Sequence, residues 1–345
     1  MAKKARVVVV TGASAGVGRA TAVEFASKGA FIGLLARGLD GLKGARRDVE
    51  AAGGRGLMVQ TDVSDAQQVE AAAMRVEEEF GPIDVWVNNA MVSVFSPILE
   101  TTPEEYRRVT EVTYLGAVHG TLSALRRMKQ RDSGVIVQVG SALAYRSIPL
   151  QSAYCAAKQA LKGFTDSLRT ELYHDGSRVK VSMVQLPALN TPQFSWVRSR
   201  LPRHPQPVPP IFQPEVAARA IVYAAEHHPR ELYVGGPTVK AIVANKFVPG
   251  LLDRYLAKTG YESQQADFPV QPNRQDNLFH PVAGDHGAHG IFDERARDRS
   301  WQLWGRTNAA WLGALAVGLI AAGIGIKTNE ESRPLAKRWL RDLAA

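Results

Sequence analysis

The chain has a single cysteine, Cys155, so no internal disulfide staples the fold. That fits a reducing compartment and leaves stability to packing. Long apolar runs are also scarce in the first 300 residues. The N-terminus, MAKKARVVVVTGAS, offers two lysines and then only four valines. This is too short for the apolar region of a secretory leader and reads better as a buried strand. There is no zinc-type spacing, no internal repeat, and no basic run interleaved with aromatics. The net charge of +9 therefore does not lead to a nucleic-acid partner. His280, His286 and His289 fall in a polar stretch at spacings that match no common site, so no metal is expected.

What is present is an ordinary globular composition, 45% hydrophobic over 345 residues, enough for a sizeable core. From Arg6 to about Gly236, short apolar runs alternate with helical stretches. The runs are Val7–Val10, Phe31–Leu35, Leu57–Gln60, Ile83–Val87, Val135–Val139, Val179–Leu186 and Glu231–Gly236. Runs apolar on both faces and separated by helices predict a parallel sheet covered on both sides. Seven of them predict an α/β, doubly wound Rossmann fold over residues 1–237, followed by a C-terminal helical extension. Residues 238–261 read as one or two amphipathic helices broken at Pro249-Gly250. Residues 262–290, rich in Pro, Gly, Asn and His, read as a polar flexible linker. Residues 291–345 read as a C-terminal helical segment. Within it, Ala309–Ile326 carries no charge and as a helix would be ~27 Å long. Basic residues bracket it and Trp301, Trp304 and Trp311 lie at its edge. The expectation is a membrane anchor that tethers the domain on the cytoplasmic side. A helix buried in a dimer interface is the other reading, and a homo-oligomer is expected.

The first strand runs into TGASAGVG, residues 11–18, and then into a helix. Gly12, Gly16 and Gly18 suit a tight turn whose backbone approaches a pyrophosphate, with free N–H groups at the following helix start. At the end of the second strand an acid would bind a ribose 2′-hydroxyl. Here Ala36 stands in that place and Arg37 follows, which favours NADP(H) over NAD(H). Asp40 comes too late for this role and reads as a helix cap. Further on, Tyr154 and Lys158 stand four apart with small residues between them. On a helix that spacing puts a phenol and an ammonium on one face. It suits either a surface pair or a proton donor tuned by a cation.

Taken together, TGASAGVG (11–18), TDV (61–63), NNA (88–90), Ser141, YCAAK (154–158) and LPALNT (186–191) resemble the short-chain dehydrogenase/reductase family in order and spacing. The resemblance covers about residues 5–236. It implies a hydride transfer between NADP(H) and a ketone, aldehyde or alcohol. It implies that Gly12, Ser14, Gly16, Val17 and Gly18 face the cofactor, that Asp62 and Val63 contact its adenine, and that Asn89 and Ala90 line its ribose. Thr191, with backbone groups at Pro187, would hold the nicotinamide carboxamide. Tyr154 would be the general acid, Lys158 would lower its pKa and hold ribose hydroxyls, and Ser141 would hydrogen-bond the substrate oxygen.

The sequence departs from the family in places. VTYLG puts Thr113 where an asparagine usually holds a water of the proton relay, and Thr113 is expected to serve as that anchor. Met91 and Ala188 replace usual glycines. Between Thr191 and Pro214 a proline-rich lid is expected to be extended. In it Trp196 and Phe212 either line an apolar pocket or pack on the domain. Arg198, Arg200 and Arg203 either attract an anion or form a solvated face. The substrate is expected to be a small carbonyl or alcohol compound, lipophilic if the anchor delivers it from a bilayer. Two rivals stand beside this reading. One is a non-catalytic nucleotide-binding scaffold or redox sensor. The other is a sugar-nucleotide epimerase or dehydratase, whose usual T-G-x-x-G-x-x-G turn is not found.

Overall fold

In the computed structural model, which describes residues 5–271 and 273–309, the apolar runs become the strands of one parallel sheet. They are β1 (Val7–Thr11), β2 (Phe31–Ala36), β3 (Arg55–Gln60), β4 (Val85–Asn88), β5 (Val135–Ser141), β6 (Lys180–Leu186) and β7 (Glu231–Tyr233). Their order across the sheet is β7-β6-β5-β4-β1-β2-β3. The order reverses between β1 and β4, which is where a doubly wound sheet opens a crevice for a ligand. Every residue of β1 is buried, because helices cover both faces and leave no solvated side.

The helices are α1 (Gly16–Ala26), α2 (Leu39–Ala51), α3 (Ala66–Phe80), α4 (Pro103–Thr110), α5 (Gly116–Gln130), α6 (Ser152–His174) and α7 (Pro214–His227). α1 packs on α2 and α7, while α3 packs on α5 and α5 on α6. Asp40 lies in the first turn of α2, whose cap position is Gly38, so it complements the helix dipole rather than capping it. Registers pair Thr11 with Leu35, Asn88 with Gln138 and Ser141 with Leu186. The carboxyl ends of these strands therefore finish along one edge, and the candidate site residues follow directly from them.

Beyond β7, α8 (Gly236–Phe247) and α9 (Pro249–Thr259) form the two expected helices, with the break at Val248. Two expectations need correction. Residues 262–290 are not a loose linker: Leu278 is fully buried in the main core, and the segment bonds repeatedly to the domain. Residues 291–300 are mostly extended or irregular, with a single 3₁₀ turn at Asp293–Arg295, rather than the helical segment predicted to contain them. Ala296–Arg297 pairs in parallel with Ile211–Phe212, and Asp293 accepts from Asn190 at 2.8 Å. The reason is the same in both cases. Backbone carbonyls and short polar side chains satisfy neighbours on the domain, and that signal has no hydrophobic period.

The chain divides into two units, residues 1–300 and 301–345. The second contributes a short helix, Trp301–Thr307, to the described residues. Among the described residues no helix is long and apolar enough to cross a membrane. The segment proposed as an anchor, 309–326, lies outside them apart from Ala309.

Candidate active site

The glycine-rich turn is built by close backbone approach. Gly12 has φ +65°, and a Cβ there would lie 2.9 Å from the Ala90 Cα. A Cβ on Gly18 would meet the Gly12 carbonyl oxygen at 2.2 Å. Any larger residue would push α1 off the turn. Asn89 fixes the same junction from β4. Its side-chain amide donates to the Thr11 carbonyl at 2.9 Å, and its backbone N–H donates to the Thr11 hydroxyl at 2.9 Å.

This turn forms one wall of a cavity of about 420 Å³ at the sheet edge. All the sequence-predicted site residues line it except Gly18 and Thr113. Gly18 acts from behind, by letting the helix sit against the turn.

Ser141, Tyr154 and Lys158 come together because β5 ends at Ser141 and α6 begins two residues before Tyr154. Cys155 and Ala157, between the tyrosine and the lysine, are buried, so small side chains let α6 lie close to the sheet. The Ser141 hydroxyl accepts from the Leu143 N–H at 3.1 Å and lines the same cavity as the Tyr154 phenol. It is thus a local cap and a site residue at once. Lys158 Nζ donates to the Val139 carbonyl at 2.7 Å and stands 5.6 Å from the Tyr154 ring centroid.

The expected tuning runs differently here. Burial pushes the Tyr154 phenol up, and the Ser141 side chain opposes the shift without reversing it. Burial also pulls the Lys158 ammonium down to about 8. Both groups lose water, which disfavours the phenolate and the ammonium alike, and the cation does not overcome that loss.

Thr113 is fully buried in a π-type turn, Glu111–Leu115, between α4 and α5. Its hydroxyl donates to the Val92 carbonyl at 2.9 Å and accepts the Val92 N–H at 3.1 Å. The single proton of the hydroxyl is used, so Thr113 has none to give to a water. Its place in the structure is to hold the loop after β4.

At the other end of the cavity, Asp62 accepts from Arg108 Nη2 at 2.6 Å and from the Ser64 hydroxyl at 2.8 Å. Burial alone would raise this carboxyl, but Arg108 and Ser64 hold it below the usual carboxylate range. Arg37 Nη1 donates to the Phe279 carbonyl at 3.0 Å and to Leu278 O at 3.4 Å, and Nη2 donates to Asn277 O. Sequence reasoning missed this contact and missed Arg108, because a bond from arginine to a distant main-chain carbonyl leaves no trace in residue type.

On the lid, Arg198 and Arg200 pair with Glu105, at 3.2 and 2.9 Å, and Arg203 pairs with Glu262. These three arginines are ion-paired rather than a solvated face. Trp196 lines the cavity, whereas Phe212 packs beside Gly235.

Comparisons with known proteins agree with this layout. The family model described as short chain dehydrogenase matches residues 6–201. An uncharacterized oxidoreductase, YxnA, from Bacillus subtilis is 33% identical over 320 residues, 92% of this chain and 90% of that protein. A metagenomic short-chain oxidoreductase crystallised in complex with NADP is 28% identical with a TM-score of 0.56, covering 66% of this chain and 96% of that one. A short chain dehydrogenase/reductase from Burkholderia phymatum, in complex with NAD, shares the fold at 24% identity with a TM-score of 0.63, covering 73% and 95%. The sheet order, the glycine turn, the Ser141–Tyr154–Lys158 cluster and these matches lead to one statement: the chain belongs to the short-chain dehydrogenase family of oxidoreductases.

Proposed function

We propose that this chain is an NADP(H)-dependent oxidoreductase that reduces an uncharged, largely apolar ketone or aldehyde, or oxidises the corresponding alcohol. The observation that carries the reading is that Ser141, Tyr154 and Lys158 line one cavity, with Lys158 Nζ 5.6 Å from the Tyr154 ring centroid.

The residues present fit a dinucleotide. Gly12 and Gly16, at φ +65° and +55°, make the tight turn whose backbone a diphosphate would approach, the Gly16 N–H exchanging the Gly287 carbonyl for a phosphate oxygen. Asp62 and Val63 line the adenosine end, and Thr191 and Pro187 the opposite end. When bound, the nicotinamide supplies or takes up the hydride. The Ser141 hydroxyl orients the substrate oxygen and stabilises its developing charge. Tyr154 Oη delivers the proton to that oxygen, and its raised pKa keeps it protonated until then. Lys158 Nζ, held by the Val139 carbonyl, places a positive charge beside the phenol as it loses the proton.

The NADP(H) preference rests on Ala36 and Arg37 at the end of β2. The three bonds from Arg37 to carbonyls leave two of its five N–H donors for a 2′-phosphate. The substrate class rests on the cavity wall. Its charged members among the described residues are Arg37, Asp62 and Lys158, all assigned above to cofactor and proton transfer. The remaining wall is apolar or neutral, including Leu143, Ile148, Phe194, Val208 and Ala241. A charged substrate would be desolvated there with no partner.

The test is cofactor turnover with neutral aryl and alkyl ketones and aldehydes beside keto acids and phosphorylated carbonyls. Turnover confined to the neutral compounds is expected. Preference for the anionic ones would overturn the substrate class, and no turnover in either direction would overturn the activity.

A further inference from the structure

Residues 276–290 place Asn277 in the cavity wall and are attached to the surrounding elements at points far apart in the sequence. At one end, the carbonyls of Asn277, Leu278 and Phe279 accept from Arg37, and Leu278 O also accepts from Arg108 at 3.1 Å. The Leu278 side chain joins the core cluster that contains Leu35, Val63 and Val112. In the middle, Asp285 pairs with buried Arg19 of α1 and, at 3.1 Å, with Arg47 of α2. Next, the Gly287 carbonyl accepts the Gly16 N–H of the glycine-rich turn at 3.1 Å. At the far end, the Gly290 N–H donates to Asn190 O at 3.2 Å, beside Thr191. Arg37 and Gly16 are groups a dinucleotide would use, and Arg108 is bonded to a third, Asp62.

The inner edge of this segment has unsatisfied chemistry. Asn277 lines the cavity, and its Oδ1 is buried without a hydrogen-bond partner among the described residues. So is Nε1 of Trp196, whose carbonyl accepts the Asn277 N–H at 3.1 Å and whose ring meets His286 edge-on at 4.6 Å. Buried polar groups are normally paired, and a pair of neighbours left over beside a ligand cavity points to the ligand as partner.

We infer that residues 276–290 are a clasp over the adenosine and diphosphate half of the dinucleotide, caught by Arg37 at one end, by Arg19–Asp285 in the middle and by Asn190 at the far end, with the Asn277 amide as a cofactor contact. The inference rests on the dinucleotide reading above. The clasp lifts to admit the cofactor and closes over it, so its opening limits cofactor release.

The test uses the full chain with NADPH. Three variants are compared with wild type: Asp285→Asn, which weakens one catch; Leu278→Ala, which loosens the buried anchor; and Asn277→Ala, which leaves every main-chain catch in place. NADPH dissociation is followed by fluorescence during a chase with unlabelled cofactor, and backbone hydrogen exchange is read across 276–290 with and without NADPH. The first two variants should release NADPH about tenfold faster or more. Asn277→Ala should weaken equilibrium binding several-fold while the cofactor-free melting temperature stays level, since it removes an atom that has no partner in the free protein. Cofactor should slow exchange across the segment. Release rates within about twofold of wild type in folded variants, with no cofactor-dependent protection of 276–290, would overturn the clasp. A wild-type protein that binds neither NADPH nor NADH would instead overturn the dinucleotide reading on which the clasp rests.

Discussion

At Lys158 the cost of function is visible in one side chain. The ammonium is buried with a carbonyl as its hydrogen-bond acceptor, and its pKa falls from 10.5 to about 8. A depressed lysine pKa means the charged form is disfavoured in the folded state. Wild-type stability is therefore reduced below about pH 8 and recovers as pH rises from there toward 10.5. The shift corresponds to a cost on the order of 3 kcal/mol. Lys158→Met should raise the melting temperature at neutral pH, with the gain shrinking as the solution is made alkaline, and should lose activity. Carbonyl reduction by the wild type should decline above about pH 8 as the ammonium is lost, a trend read from kcat/KM against pH. Tyr154→Phe should lower kcat by ~10²- to 10⁴-fold while NADPH binding stays near wild type, because only the transferable proton is removed. A variant that keeps most of the rate would show that another group is the acid. The identities of these residues were legible from their spacing. Their pKa directions were not, because those depend on burial by β5 and α6 rather than on the neighbours in sequence.

The helix containing Thr113 shows what periodicity does and does not reveal. The amphipathic pattern from Pro103 to Gln130 marks a helix, but the π-type turn at Glu111–Leu115 leaves no mark in it. The turn places Thr113 against the backbone of Val92. Thr113→Val would strand a buried N–H and a buried carbonyl, costing about 2–5 kcal/mol, while Thr113→Ser would keep both bonds and stay within about 1 kcal/mol apart from the lost methyl. Thermal melts of the two variants decide this, and equal losses would mean that the hydroxyl is not what matters. The seven strands were legible because each is a run apolar on both faces. The order of residues 276–290 was not, since Arg37, Arg108 and Gly16 hold its main-chain carbonyls, which every residue type presents alike.

Across the whole molecule, much of the arginine excess is committed to internal joints: Arg19, Arg37, Arg108, Arg127, Arg198 and Arg200 are each bonded to carboxylates or carbonyls. This makes substitution of Arg37 a compound change. Arg37→Asp should shift the ratio of kcat/KM toward NADH, and it should also loosen segment 276–290 by removing its three bonds. Asp285→Asn loosens the same segment without touching the end of β2. A shift toward NADH in Arg37→Asp alone isolates recognition of the 2′-phosphate; the same shift in both would place cofactor choice in the segment. Leu278, a fully buried side chain on that segment, carries the last consequence. A leucine seated in the core is not withdrawn at every turnover without slowing the cycle. An enzyme with such a cover treats its coenzyme less as a passing cosubstrate than as a resident prosthetic group. On the clasp reading, the protein would leave purification already carrying its coenzyme.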